Sequence, residues 1–320
     1  MLVQGRLAEA TASVADEVIW QVAEEFGETL GRPKQITPLA GPWGPNGVFQ
    51  VAAGHSLFVL KRWQGADRIR RGTAETTQLV YLRQAGFTAA PAPLPYGATW
   101  WRSTDGATLW TAQEHIDAVP HRGHGGMRRH LAAQIGGVLA DLHSRIDDRP
   151  VGNVSRLDEL ADLDFTRIPE PFNEVVASAL SVVLARRDEL SALPQSRVHG
   201  DVNLDNMILR RDGLVLIDWE FTRRDLRILD LATLVAPRRT PSGGFLTATP
   251  AMFGEILRGY QLAAKTPLSR RERELLPTAA LAHYLLVLRD TLRLGSPHVA
   301  QVVTVVRTLL LRESDESLRR

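Results

Sequence analysis

His199-Gly200-Asp201-Val202-Asn203-Leu204-Asp205-Asn206 leads into two short β-like runs, Met207–Leu209 and Leu214–Ile217, joined by an Asp212-Gly213 turn and closed by Asp218-Trp219-Glu220. A hairpin lays its two ends side by side, so Asp201, Asn206 and Asp218 are expected to converge, although the last two stand twelve positions apart. Three oxygen-bearing side chains then face one another. A hard divalent cation such as Mg²⁺ takes a few such ligands and completes its shell with water and phosphate oxygens. A further carboxylate outside that shell can orient a hydroxyl group and accept its proton. A solvated Asx turn is the plain alternative for Asp201 and Asn206, and the hairpin with its terminal Asp218 argues against it.

Upstream, the chain is richer in β-like runs. Gly47–Val51 and Leu57–Trp63 flank the turn Ala53-Gly54-His55 and read as a hairpin. Residues 67–85 carry Leu79 and Leu82 and stop at Gly86, which predicts a helix, and further strands are expected at Thr99–Arg102 and Leu109–His115. Before them, Val14, Val18, Val22 and Phe26 recur at fourfold spacing, predicting an amphipathic helix from residue 7 to about 30 that ends at Gly31 and Pro33. From His130 onward the period becomes helical, as in His130–Arg145, Phe172–Leu193, Phe253–Ala264 and Arg271–Leu294, with the hairpin after Asn206 as the one β-like island. Composition and period place the boundaries at 1–35 for a helical segment, 36–117 for a β-rich lobe and 118–320 for a helical lobe.

A length of 320 residues suits two lobes. Hydrophobic residues at 44% and charged residues at 23% are ordinary globular values, which excludes a disordered or fibrous chain. The absence of cysteine removes disulfides, thiolate catalysis and iron–sulfur clusters, and points to a reducing cytoplasm. Neither an export signal nor a membrane span is expected: the most apolar late stretch, Val299–Leu311, is broken by Gln301 and Arg307. His121 and His124 lack a neighbouring carboxylate or thiol and read as a polar loop, not as metal ligands.

The ordered motifs resemble the aminoglycoside phosphotransferase family, which shares the protein-kinase-like fold with choline kinases and related small-molecule kinases. HGDxxxxN followed by IDWE is similar to the family's catalytic core, and the agreement runs in order from about Leu39 to Leu234. Leu39–Phe49, with Asn46 and Gly47, occupies the place of the nucleotide-covering loop, although its two prolines and the lack of a strict GxGxxG depart from a glycine cradle. Lys61 stands where the family has its phosphate-gripping lysine, and Glu75 where a helix glutamate pairs that lysine. Gln113, Glu114, His115 and Ile116 fall at the adenine-holding hinge, Leu139–His143 resembles the "La.LH" helix, and Asp230-Leu231-Ala232 resembles the family's late "DLA". For Glu75 a rival reading remains, because Arg68, Arg70 and Arg71 lie within two helical turns and compete for its charge.

The resemblance implies an α+β, bilobal protein-kinase-like fold, with a small β-rich N-lobe and a larger, mostly helical C-lobe. It further implies Asp201 as catalytic aspartate, Asn206 and Asp218 as Mg²⁺ ligands, and Lys61 on the phosphates of ATP or GTP, positioned by Glu75. His199 and Gly200 are expected to be scaffold, and Asp230 to be structural. The absence of GxxxxGK[ST] excludes a P-loop kinase, and Trp219-Glu220 after Asp218 departs from the Phe-Gly of protein kinases. Formal charge is only +2, yet residues 221–320 hold 16 Lys/Arg against 9 Asp/Glu. That sign is wrong for a polycationic aminoglycoside and suits a neutral or anionic hydroxyl compound, or a serine or threonine of a peptide with an acidic leader. The peptide case brings a partner enzyme subunit with it, as in natural-product peptide biosynthesis. A non-catalytic nucleotide-binding module is the reading from another class, but Lys61, Asp201, Asn206 and Asp218 are all present. The basic residues are scattered without interleaved aromatics, so nucleic acid is not an expected partner.

Overall fold

The computed structural model describes residues 18–26, 31–39, 47–94, 100–103, 106–118, 129–145, 156–235, 238–239, 245–246, 248–293, 295–296 and 298–314. The chain divides into two compact units, Met1–Val119 with Ile208–Phe221, and Pro120–Met207 with Thr222–Arg320.

In the first unit, residues 18–26 form helix α1. Strands β1 (Pro33–Pro38), β2 (Val48–Ala53) and β3 (Ser56–Gln64) follow, then helix α2 (Ala66–Gln84) and strands β4 (Pro93–Leu94), β5 (Trp100–Arg102) and β6 (Thr108–Glu114). They build an antiparallel sheet in the order β1-β2-β3-β6-β4, with β5 also on β6. The β2–β3 turn places Gly54 at φ 58°, and Ala53 pairs with Ser56.

Because successive side chains of a strand alternate in direction, β3 serves two cores. Phe58 and Leu60 join Val51, Trp110 and Ala112 against Ile19, Val22, Ala23 and Phe26 of α1. Trp63, on the other parity, packs with Ile69 of α2 and Leu109. Lys61 shares the parity of Trp63 and is therefore delivered to the α2 side. The helix comes close because Gly72 has no side chain: a Cβ there would lie 2.7 Å from the Trp63 ring.

The second unit is mainly helical. Helix α3 (Arg129–His143), a series of short 3-10 turns between Arg156 and Phe172, helices α4 (Asn173–Ala185) and α5 (Arg187–Ser191) and strand β7 (Gln195–Val198) lead to the His199–Asn206 loop. The chain then passes to the first unit as the hairpin β8 (Met207–Arg210) and β9 (Gly213–Leu216), and resumes in the second as β10 (Arg223–Leu226), which pairs antiparallel with β7. Helix α6 (Ile228–Val235), the two-residue strands β11 (Arg238–Arg239) and β12 (Phe245–Leu246), and helices α7 (Pro250–Ala263), α8 (Arg270–Glu274), α9 (Leu276–Arg293) and α10 (Val299–Ser314) complete it. Helix α9 is the core element, buried at Leu276, Ala279, Leu281, Leu285 and Leu288, among others. No helix among the described residues is long and apolar enough to cross a membrane.

Three features differ from the sequence reading. The hairpin segment 208–221 counts with the first unit, whereas the sequence assigns all of 118–320 to the second lobe. Its backbone is bonded there, Leu216 N–H donating to Ala89 O at 2.9 Å, and Trp219 stands edge-on to Phe87 at 5.9 Å. Helix α1 belongs to the sheet's core and is not a separate segment; the rest of the expected 7–30 helix lies outside the described residues. Strands β1, β4, β7, β10, β11 and β12 depart from the sequence reading, since none of them has an apolar alternation to announce it.

Helices α3 and α7 meet through reciprocal glycines. A Cβ on Gly136 would lie 2.0 Å from Ile256 O, and one on Gly259 would lie 2.0 Å from Ala133 O. At neighbouring Gly137 the nearest atom to a built Cβ is Ala263 Cβ at 3.9 Å. Gly136→Ala should therefore cost about 1–3 kcal/mol or more by overpacking. Gly137→Ala should gain up to about 1 kcal/mol from helix propensity. Urea melts of the two variants, expected to move in opposite directions, check this packing.

Candidate active site

In the first unit, one buried ammonium gathers the charges. Lys61 Nζ donates to Glu75 Oε1 at 2.7 Å and to Asp218 Oδ1 at 3.2 Å, with Lys61 and Glu75 side chains 9% and 2% exposed. Burial alone would pull the Lys61 ammonium down, but Glu75 and Asp218 together hold it above its ordinary value. Burial pushes the Glu75 carboxyl up to about 7 against the opposing pull of Lys61, and Asp218 adds to the rise. The rivalry for Glu75 is settled by helical phase: Arg70 pairs with Asp67, Arg71 reaches Glu220 Oε2 at 3.6 Å, and the charge of Arg68 also acts on Glu220.

Asp218 is delivered by an unusual backbone. It follows β9 at φ 65°, the one positive φ of a non-glycine among the described residues, a conformation that costs roughly 1–2 kcal/mol for an L-residue. Trp219 holds the bend in place. Its side chain is fully buried, and its indole N–H donates to Leu216 O at 2.7 Å.

In the second unit, the loop 199–206 rests on a buried carboxylate. Asp230, 0% exposed, accepts His199 N–H at Oδ2 and Gly200 N–H at Oδ1, both at 2.8 Å. His143 Nε2 lies 3.1 Å from Asp230 Oδ2, and its Nδ1 lies 3.0 Å from the Tyr260 hydroxyl. Burial would raise the Asp230 carboxyl, yet His143, His199 and the Gly200 N–H hold it below its ordinary value. Gly200, at φ 86°, makes the bend. Asn203 Oδ1 then caps the next turn, accepting Asp205 N–H at 2.9 Å and Asn206 N–H at 3.1 Å. Asn206 Nδ2 donates to Asp201 Oδ2 and to Asp201 O, each at 2.9 Å.

The hydrogen bonds of Asn206 and the exposure of Asp218 test the fit to a cation. Asn206 Nδ2 is committed to Asp201, and the other end of the amide, Oδ1, is a hard oxygen of the kind that ligates a divalent cation. The Asp218 side chain is 41% exposed. Amide and carboxylate oxygens of this kind suit Mg²⁺ with phosphate oxygens, and the Lys61 ammonium suits a phosphate.

The remaining expected residues are also placed. Gln113 and Glu114 end β6; Glu114 N–H donates to Ala92 O at 2.7 Å, and its Oε2 accepts Ala92 N–H at 3.1 Å. His115 Nε2 lies 2.8 Å from Gln50 Nε2, and Ile116 is buried. Gly47 precedes β2, and its carbonyl accepts Arg62 N–H at 2.8 Å. Asn46 lies outside the described residues. Lys61, Glu75 and Asp218 are thus assembled in the first unit and Asp201 with Asn206 in the second. Sequence reasoning missed the cap by Asn203, the His143–Tyr260 link and the Arg71–Glu220 pair. Of these, only Asn203 carried a local signal, an Asx residue two positions before Asp205.

An antiparallel sheet that presents a Lys–Glu pair, with a helical unit whose HGDxxxxN loop hangs from a buried aspartate, defines the protein-kinase-like class of phosphotransferases. The chain belongs to the phosphotransferase enzyme family (APH), whose model matches residues 35–277. Solved structures share the fold. An amicoumacin kinase, hAmiN, in complex with AMP-PNP, Ca²⁺ and Ami superposes with a TM-score of 0.64 at 17% identity, covering 89% of this chain and 90% of that one. The choline kinase LicA from Streptococcus pneumoniae gives 0.65 at 15% identity over 93% and 99%. A microcompartment-associated aminopropanol kinase gives 0.64 at 15% over 89% and 93%. No curated protein matches the sequence.

Proposed function

We propose that this phosphotransferase moves the γ-phosphoryl group of ATP, or GTP, to a hydroxyl of a small molecule or peptide in a Mg²⁺-dependent reaction. The observation that carries the reading is the buried Lys61 ammonium held by Glu75 and Asp218, a cation fixed in place by two carboxylates. In the reaction, Lys61 faces the nucleotide phosphates and Glu75 restrains it. Asp201 orients the acceptor hydroxyl and takes its proton, while the amide of Asn206 holds that carboxylate. Asn206 and Asp218 would hold Mg²⁺, which supplies positive charge to the phosphate oxygens when bound. Phosphoryl transfer asks for little else than in-line positioning and cations facing the charge as it spreads. Gln113–Ile116 supply the base-holding edge.

The acceptor is a neutral or anionic hydroxyl compound. Supporting this, residues 221–320 carry 16 Lys/Arg against 9 Asp/Glu, the wrong sign for a polycation. A peptide serine or threonine beside an acidic leader fits the same sign, with a partner enzyme subunit to present it. A screen with γ-phosphate-labelled ATP over neutral, anionic and polycationic hydroxyl compounds and acidic-leader peptides tests the assignment. Label transfer confined to polycations overturns the acceptor class, and transfer to none, with no Mg-ATP binding, overturns the reaction.

A further inference from the structure

Helix α2 carries two charged residues one turn apart on one edge, Arg71 and Glu75, and only Glu75 has a part in the reading above. The Arg71 guanidinium lies 3.6 Å from Glu220 Oε2 and 4.8 Å from the centre of the Phe221 ring. These are residues of the segment that delivers Asp218. We propose that Arg71 is a positioning residue of the nucleotide site, fastening helix α2 to the Asp218 segment through Glu220 and Phe221 and so fixing where Lys61 and Asp218 meet. The proposal rests on the Mg-nucleotide reading of this site.

The contacts in this unit close a ring. Helix α2 reaches Lys61 through Glu75 at 2.7 Å, and Lys61 reaches Asp218 at 3.2 Å. The chain then runs from Asp218 to Glu220 and Phe221, and Arg71 returns it to α2. Without Arg71 this edge of the helix loses its contacts with Glu220 and Phe221, and the cations left near Glu75, Asp218 and Glu220 are Lys61 and, toward Glu220, Arg68. Asp218 sits at φ 65°, a conformation held only by its surroundings, so a tie two residues downstream acts directly on its position.

An ordinary helix ion pair behaves otherwise. Arg70, one residue earlier, is 72% exposed and spends its charge on Asp67 three residues back; such pairs contribute little. Arg71 is 35% exposed, reaches a Glu220 side chain only 16% exposed, and lies within cation–π range of an aromatic face. Lysine keeps the charge but not the planar stacking, so it restores the tie in part.

Calorimetry with Mg²⁺ and a non-hydrolysable ATP analogue tests the assignment, with melting of the ligand-free proteins alongside. Arg71→Met should raise the dissociation constant about five- to twentyfold and move the melting temperature by no more than about 2 °C. Arg71→Lys should fall between it and the wild type, and Arg70→Met should match the wild type. Combined with Glu220→Gln, the Arg71→Met loss should be less than additive, as for residues in contact. Wild-type affinity in a folded Arg71→Met protein, or an additive double mutant, overturns the proposal. If Arg71→Met does not fold, the Lys variant and Glu220→Gln decide alone: wild-type affinity in both overturns it, and weakened affinity in both supports it. Failure of the wild type itself to bind the Mg-loaded analogue overturns the nucleotide reading instead.

Discussion

Asp201→Ala is expected to leave Mg-ATP binding near the wild-type level while turnover falls by about two to four orders of magnitude, the span of a lost general base. The loop should survive the change. Its frame is made by Asp230 under His199 and Gly200, by the Asn203 cap and by the Asp201 carbonyl, which accepts from both Asn203 Nδ2 and Asn206 Nδ2 at 2.9 Å. The bond from Asn206 Nδ2 to the Asp201 carboxylate goes with the side chain, while these backbone-centred bonds stay. Single-turnover measurements with labelled ATP separate the chemical step from binding. Unchanged turnover would remove Asp201 from its role.

Asp218→Asn should act on the other term. It keeps a residue tolerant of the left-handed backbone and removes one negative charge from a cation site. At a few ångströms, a unit charge pair near a protein surface is worth several kcal/mol, reduced here by the 41% exposure of the side chain. Mg-nucleotide affinity should therefore fall roughly ten- to a hundredfold, with turnover falling as well. Asp218→Ala should lose more, because alanine adds backbone strain at φ 65°. Calorimetry at several Mg²⁺ concentrations reads the effect. An affinity equal to wild type in both variants would detach Asp218 from the metal.

The β2–β3 hairpin and helix α2 were legible because their signals are local: a Gly54 turn between β-rich runs, and Leu79 and Leu82 stopped by Gly86. Strand β1, Pro-Lys-Gln-Ile-Thr-Pro, has a single aliphatic residue and exists by pairing with β2 at the sheet edge, where proline is tolerated. Strands β7 and β10 are Gln-Ser-Arg-Val and Arg-Arg-Asp-Leu, polar runs that form because each finds the other across the intervening loop and hairpin. Pairing between segments so far apart leaves no periodicity in either one.

The site divides in the same way. The chain by itself determined which groups are available: a lysine in a strand after a glycine turn, an aspartate and an asparagine five residues apart, and an aspartate closing a hairpin. Spacing and turn chemistry are short-range properties, so they can be read along the sequence. Only the tertiary structure decided who pairs with whom. Strand parity turns Lys61 toward α2, helical phase gives it Glu75 and sends Arg71 to Glu220, and a buried Asp230 takes two backbone N–H groups of the loop. Several cations lie within reach of each carboxylate along the chain, and packing leaves each carboxylate only the partners it can meet.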